Sequence, residues 1–161
     1  LSSHRLLREL LVVLAITGIA VVAATRWVVT PWQVRGASME PTLRDGDRVI
    51  VDLLTFSRRT PRAREIVVLS GPGGEEMVKR IAAEPYNAPM PAPALAAESP
   101  LESTYVVLGD NPTASSDSRA FGRVPRHRIH GRVVWRYWPL SAWGAIDTRS
   151  RSEDLPAPAS P

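Results

Sequence analysis

Between Leu10 and Thr25 the chain runs for sixteen residues without a charged side chain. No other stretch restricts the fold so strongly. In lipid only a helix or a closed barrel satisfies its own backbone hydrogen bonds, so a run of this kind reads as helix. Crossing a bilayer takes about 20 apolar residues. Arg26 can carry its charge to the interface on a long stem and Trp27 favours the same depth, which extends the segment to Val29. His4, Arg5 and Arg8 precede it. Residues 10–29 are therefore expected to form a single-pass transmembrane anchor behind a short basic N-terminus, residues 1–9, in the cytoplasm. The competing reading is a cleavable signal peptide, with small residues at Ala23-Ala24 resembling a cleavage point. Either way the remainder lies outside the cytoplasm.

From residue 30 the pattern changes to short apolar runs separated by turn residues. Strands are expected at Trp32–Ala37, Arg48–Leu54, Glu65–Leu69, Glu76–Ala83, Thr104–Leu108 and Arg132–Trp138. Gly71-Pro72-Gly73-Gly74 joins two of them as a hairpin. Ser57–Arg64 reads as a polar, basic loop. Residues 30–146 thus form one β domain: mainly β, a small antiparallel sandwich or partly closed barrel behind one N-terminal transmembrane helix. Residues 84–102 hold Pro85, Pro89, Pro91, Pro93 and Pro100, and read as an extended excursion without a core of its own. Residues 147–161 read as a charged, Pro-rich, disordered tail.

Composition removes several kinds of chemistry. The chain has no cysteine, hence no disulfide framework and no thiolate metal site. Its net charge of +4 is spread along the sequence without a nucleic-acid-binding motif, which suits an anionic membrane surface better than DNA or RNA. His127 and His130 stand three apart among arginines that would repel a cation, so they read as a solvated basic face. Trp135, Tyr137, Trp138 and Trp143 suit either lipid contact or strand packing.

One further feature concerns reactivity. Of 20 basic Lys and Arg residues, only Lys79 is a lysine. Arginine keeps its proton in proteins, whereas a buried lysine can lose it and act as a base. Val78-Lys79-Arg80-Ile81 sets that amine on a strand between apolar neighbours. A lysine base needs a nucleophile, and Ser38 stands where a strand gives way to a turn, in Gly36-Ala37-Ser38-Met39-Glu40-Pro41. Taken singly, Ser38 suits a turn or cap and Lys79 suits codon usage biased toward arginine.

Together these stretches resemble the signature boxes of type I signal peptidases. Gly36–Leu43 is similar to the serine box, Gly46–Val51 to the strand that follows, and Val78–Ile81 to the lysine box. Gly109-Asp110-Asn111-Pro112-Thr113-Ala114-Ser115-Ser116-Asp117-Ser118-Arg119-Ala120-Phe121-Gly122 looks like the last box. The resemblance implies Ser38 as nucleophile and Lys79 as general base. Ser115 would orient the amine, Asp117 would pair with Arg119, and Asp110 would pair with Arg80. The Ser38 N–H would contribute to the oxyanion hole, while Gly36, Ala37 and Met39 would line the substrate site. It further implies secretory preproteins as substrates, a lipid bilayer and no nucleic acid as partner, and no metal or organic cofactor. The catalytic domain would face the outer side of the cell membrane. Position 36 departs from family members that carry a second oxyanion-donating serine there, as many Gram-positive relatives also do. Oligomeric state is left open. Two rivals remain: a self-cleaving or regulatory protease with the same dyad, and an anchored β-domain that binds without catalysis.

Overall fold

The computed structural model describes residues 2–82 and 103–146, with the side chains of 4–22 described in the first helix. The excursion expected at 84–102 and the tail expected at 147–161 lie outside the described residues.

Helix α1 spans Ser2–Val28. It covers the uncharged run and begins earlier than residue 10, because Leu6 and Leu7 continue the apolar surface across Arg5, Arg8 and Glu9. Its large apolar side chains, from Leu6 to Val22, all stand exposed. Among the described residues no helix is long and apolar enough to cross a membrane.

The helix passes directly into β1, Val29–Gln33. This strand starts earlier than the sequence suggests, since β-branched Val29 and Thr30 pair with Asp52 and Val51 of β2, Arg48–Asp52. Pro31 is accommodated because β1 is an edge strand. After β2, the expected loop contains a single helical turn, α2, Thr55–Arg58. The Asp52 carboxylate accepts the N–H groups of Leu54 and Thr55 at 2.9 and 3.0 Å, which starts that turn. Strands β3, Ile66–Ser70, and β4, Glu76–Ile81, form the expected hairpin.

The strand expected over 104–108 divides into β5, Thr104–Tyr105, and β6, Val107–Leu108. The cause lies in the partners: β5 pairs with β7, Val124–Pro125, whereas β6 pairs with β4. Between them, Val106 accepts the Ala82 N–H at 2.9 Å. A short helix α3, Ser118–Phe121, follows in chain order, then the long β8, Ile129–Trp138, and β9, Gly144–Ala145.

The main sheet runs β1-β2-β8-β3-β4-β6, antiparallel throughout, with β9 on β8. The mainly antiparallel β expectation agrees with this sheet. Its path is open, and the described strands form no closed barrel. Strand β3 is apolar without alternation because both its faces are covered. Ile66 and Val68 join Met39, Leu43, Val49, Val51, Val78 and Val133 in one cluster. Val67 and Leu69 join Phe56, Ile81, Val107, Phe121, Val124 and Ile129 in another. The register places Lys79 opposite Val67, at one end of the row Val29, Asp52, Arg132, Val67, Lys79.

Candidate active site

Ser38 sits in the turn that joins β1 to β2. Gly36 turns the chain at φ +77°, a conformation that strains any L side chain, and its N–H donates to Asp45 Oδ1 at 2.7 Å. The Glu40 N–H then donates to the Ala37 carbonyl at 3.2 Å and the Leu43 N–H to the Met39 carbonyl at 2.9 Å. This single helix-like turn sends Met39 and Leu43 into the first cluster and leaves Ser38 half-buried beside them. Met39 is only 1 % exposed, so its side chain is core. Gly36 is exposed and Ala37 half-buried, so these two offer the more accessible surface.

Lys79 lies on β4 with 3 % of its surface exposed. Strand alternation puts it on the same face as Met77 and Ile81, against the second cluster. Burial pushes its amine below the ordinary lysine range; the Asp117 charge opposes that shift and the Arg119 charge adds to it.

The β4–β6 register pairs Arg80 with Leu108 and Ile81 with Val107. Continuing it by one residue sets Gly109 across from Lys79, with both Cβ directions on one face. A Cβ on Gly109 would fall 2.1 Å from Ser115 Oγ and 2.6 Å from the Ser38 carbonyl oxygen. The same carbonyl accepts the Asn111 N–H at 3.0 Å. Ser115 and the serine turn therefore pack directly onto the backbone of residue 109, across from Lys79, and any side chain there would collide with both.

Asp117 organises the far wall. It is fully buried and starts α3 by accepting the Arg119 N–H at 3.1 Å. Its carboxylate also accepts from Gly109 N at 2.9 Å, Ser115 Oγ at 2.8 Å and Arg119 Nε at 2.8 Å. Burial alone would raise its pKa, but these hydrogen bonds outweigh burial and hold the carboxyl below its usual range. Ser115 gives its proton to Asp117, so its oxygen remains an acceptor for an amine. On the other face of β4, Arg80 donates through Nε and Nη2 to the two oxygens of Asp110 at 2.8 and 2.7 Å. Arg80 also donates to the Arg64 carbonyl at 2.9 Å and to Thr42 Oγ1 at 3.4 Å.

Among the described residues no cluster of His, Asp or Glu could hold a metal. His130 Nε2 lies 2.7 Å from Ser70 Oγ, and His127 is exposed on the turn before β8. Trp135 and Trp143 meet edge to face with ring centroids 6.0 Å apart, and both remain exposed, as does Trp138.

Gly109 and Asp47 lie within the signature stretches read from the sequence, although no role attaches to them there. Arg136 also borders the site and gave no signal, since it reads as an ordinary polar position on a strand.

Comparison with known proteins adds the family. The description "Signal peptidase, peptidase S26" matches residues 7–86 and 97–138, most of the chain. This chain belongs to the type I signal peptidase family. It is a hydrolase of that kind. Similar proteins include signal peptidase IB of Staphylococcus aureus, 27% identical over 84% of this chain and 91% of that protein. A probable signal peptidase I-2 of Synechocystis is 30% identical over 73% of this chain and 66% of its own length. The family match covers the serine turn, β4 and the segment 109–119.

Proposed function

We propose that this chain is a Ser-Lys endopeptidase that removes signal peptides from exported preproteins at the outer face of the cytoplasmic membrane. The observation that carries the reading is the close packing at Gly109. The continued β4–β6 register sets this glycine across from the desolvated Lys79, and its missing side chain lets Ser115 and the turn bearing Ser38 approach its backbone.

The chemistry follows from that arrangement. Neutral Lys79 accepts the proton of Ser38 Oγ as the oxygen attacks the scissile carbonyl. The Ser38 N–H stabilises the oxyanion. Protonated Lys79 then gives its proton to the leaving amino group, and an acyl-enzyme stands on Ser38. Water enters and attacks the ester as Lys79 takes its proton; Lys79 then returns that proton to Ser38 Oγ as the acyl group departs as the free carboxylate of the signal peptide. Ser115 orients the amine while Asp117 and Arg119 hold Ser115. Gly36 and Ala37 border the substrate; Met39 supports them from the core. Exposed apolar side chains along α1 support a membrane association that keeps the domain beside its membrane-bound substrates.

The test is cleavage of a preprotein by wild type and Ser38→Ala, with the product N-terminus sequenced. One defined cut by wild type and a loss on the order of 10⁴-fold in the variant are expected. Turnover by Ser38→Ala at the wild-type rate would remove the nucleophile assignment.

A further inference from the structure

The buried carboxylate of Asp47 has no part in the chemistry above, yet it is only 4 % exposed. It lies four residues beyond the end of the serine turn's last core anchor, Leu43. One of its oxygens accepts the Arg44 N–H at 3.0 Å and Arg136 Nη1 at 2.9 Å. The same Nη1 donates to the Thr42 carbonyl at 3.1 Å, and Arg136 Nε donates to the Ala142 carbonyl at 2.8 Å. One guanidinium thus joins three segments: β8, the 140–142 turn and the C-terminal end of the serine turn.

Thr42 is held from two sides. Its carbonyl meets Arg136, and its hydroxyl meets Arg80, the residue next to Lys79 on β4. The path from the nucleophile's turn to the base's strand therefore passes through Thr42. Asp47 is buried and Arg136 partly exposed, and such a pair is weak evidence of stabilisation, so its presence here is better explained by what it orients than by what it stabilises.

We propose that Arg136 is a positioning residue for Ser38. Seated on Asp47, it fixes the end of the serine turn and so the place of Ser38 Oγ relative to Lys79. A planar fork with fixed donor directions suits three acceptors in two segments, which a lysine cannot match. The proposal rests on Ser38 and Lys79 being nucleophile and base. A nucleophile misplaced by about 1 Å loses about 10²-fold in rate while substrate binding elsewhere is untouched.

The experiment uses the full chain in detergent with a preprotein substrate, well below the melting temperature of each variant. kcat, KM and the pH–rate profile are measured for wild type, Arg136→Met, Arg136→Lys, the double variant Asp47→Asn with Arg136→Met, and Ser38→Ala. Arg136→Met is expected to lose about 10²-fold in kcat with KM within about threefold and the lysine inflection unmoved. Arg136→Lys is expected to recover only about tenfold of that loss. The double variant is expected to match Arg136→Met, because the pair acts as a unit. Wild-type kcat in Arg136→Met with only a lowered melting temperature would overturn the proposal, as would a raised KM at unchanged kcat. If Arg136→Met does not fold, Arg136→Lys decides alone: wild-type kcat in that variant overturns the proposal. Turnover by Ser38→Ala would instead overturn the dyad reading beneath it, so the two failures are told apart.

Discussion

The two faces of β4 present neighbouring basic residues with different surroundings. Lys79 is 3 % exposed and Arg80 is 5 % exposed, so burial does not distinguish them. Their partners do. Arg80 meets both oxygens of Asp110 in a bidentate pair, and its remaining donors reach Arg64 and Thr42. Lys79 faces an apolar cluster, and Asp117, whose charge opposes its loss of a proton, is itself engaged by Arg119, Ser115 and Gly109. One face gives its cation a carboxylate partner; on the other, burial makes a cation costly. Two equally buried basic groups are therefore told apart by whether a carboxylate pairs with them directly.

The strongest way to break this contrast is to put the wrong cation on the Lys79 face. Lys79→Arg places a group there that cannot give up its proton. Preprotein cleavage is expected to fall on the order of 10⁴-fold. Near-normal turnover in that variant would show that no base is needed at position 79. On the opposite face, Asp110→Asn leaves Arg80 buried without its carboxylate. A destabilisation of about 3 kcal/mol in denaturant unfolding is expected, with the pH inflection of the surviving activity in place. A moved inflection would mean that the two faces are not electrically independent.

The smallest effect has the most particular sign. An unfolded chain holds the Lys79 proton up to the ordinary lysine range, whereas the folded chain releases it lower. Wild-type stability therefore rises with pH between the lowered folded value and the ordinary one. Lys79→Met removes the burial cost and is expected to be inactive yet more stable by about 1 kcal/mol at neutral pH. That gain should shrink as pH is raised toward the ordinary lysine range. Unfolding curves of both proteins at several pH values check it; a gain that is constant or grows with pH contradicts the assignment.

These contrasts were unevenly legible in the sequence. The hairpin of β3 and β4 could be read because Ile66–Leu69 and Met77–Ile81 are dense in apolar residues around a glycine-rich turn. The lysine drew notice through scarcity alone. What alternation could not supply was register: that Gly109 falls across from Lys79 depends on how β6 pairs with β4, two short strands separated in sequence by the excursion. The break at Val106 was hidden for the same reason, since one apolar run serves two different partners. The family resemblance implies a substrate contact for Met39. One helical turn instead buries it four residues before Leu43, and side chains so spaced share a face. Arg136 was invisible because a charged residue inside a strand does not announce which buried carboxylate it will meet.

The central claim is that buried Lys79 gives up its proton below the ordinary lysine range. A single lysine makes this directly measurable, since lysine-selective ¹³C or ¹⁵N labelling gives one side-chain signal in the whole chain. The account predicts that this signal titrates well below the ordinary lysine range in the folded protein and returns to that range on unfolding. A folded-state titration at the ordinary lysine value would contradict it.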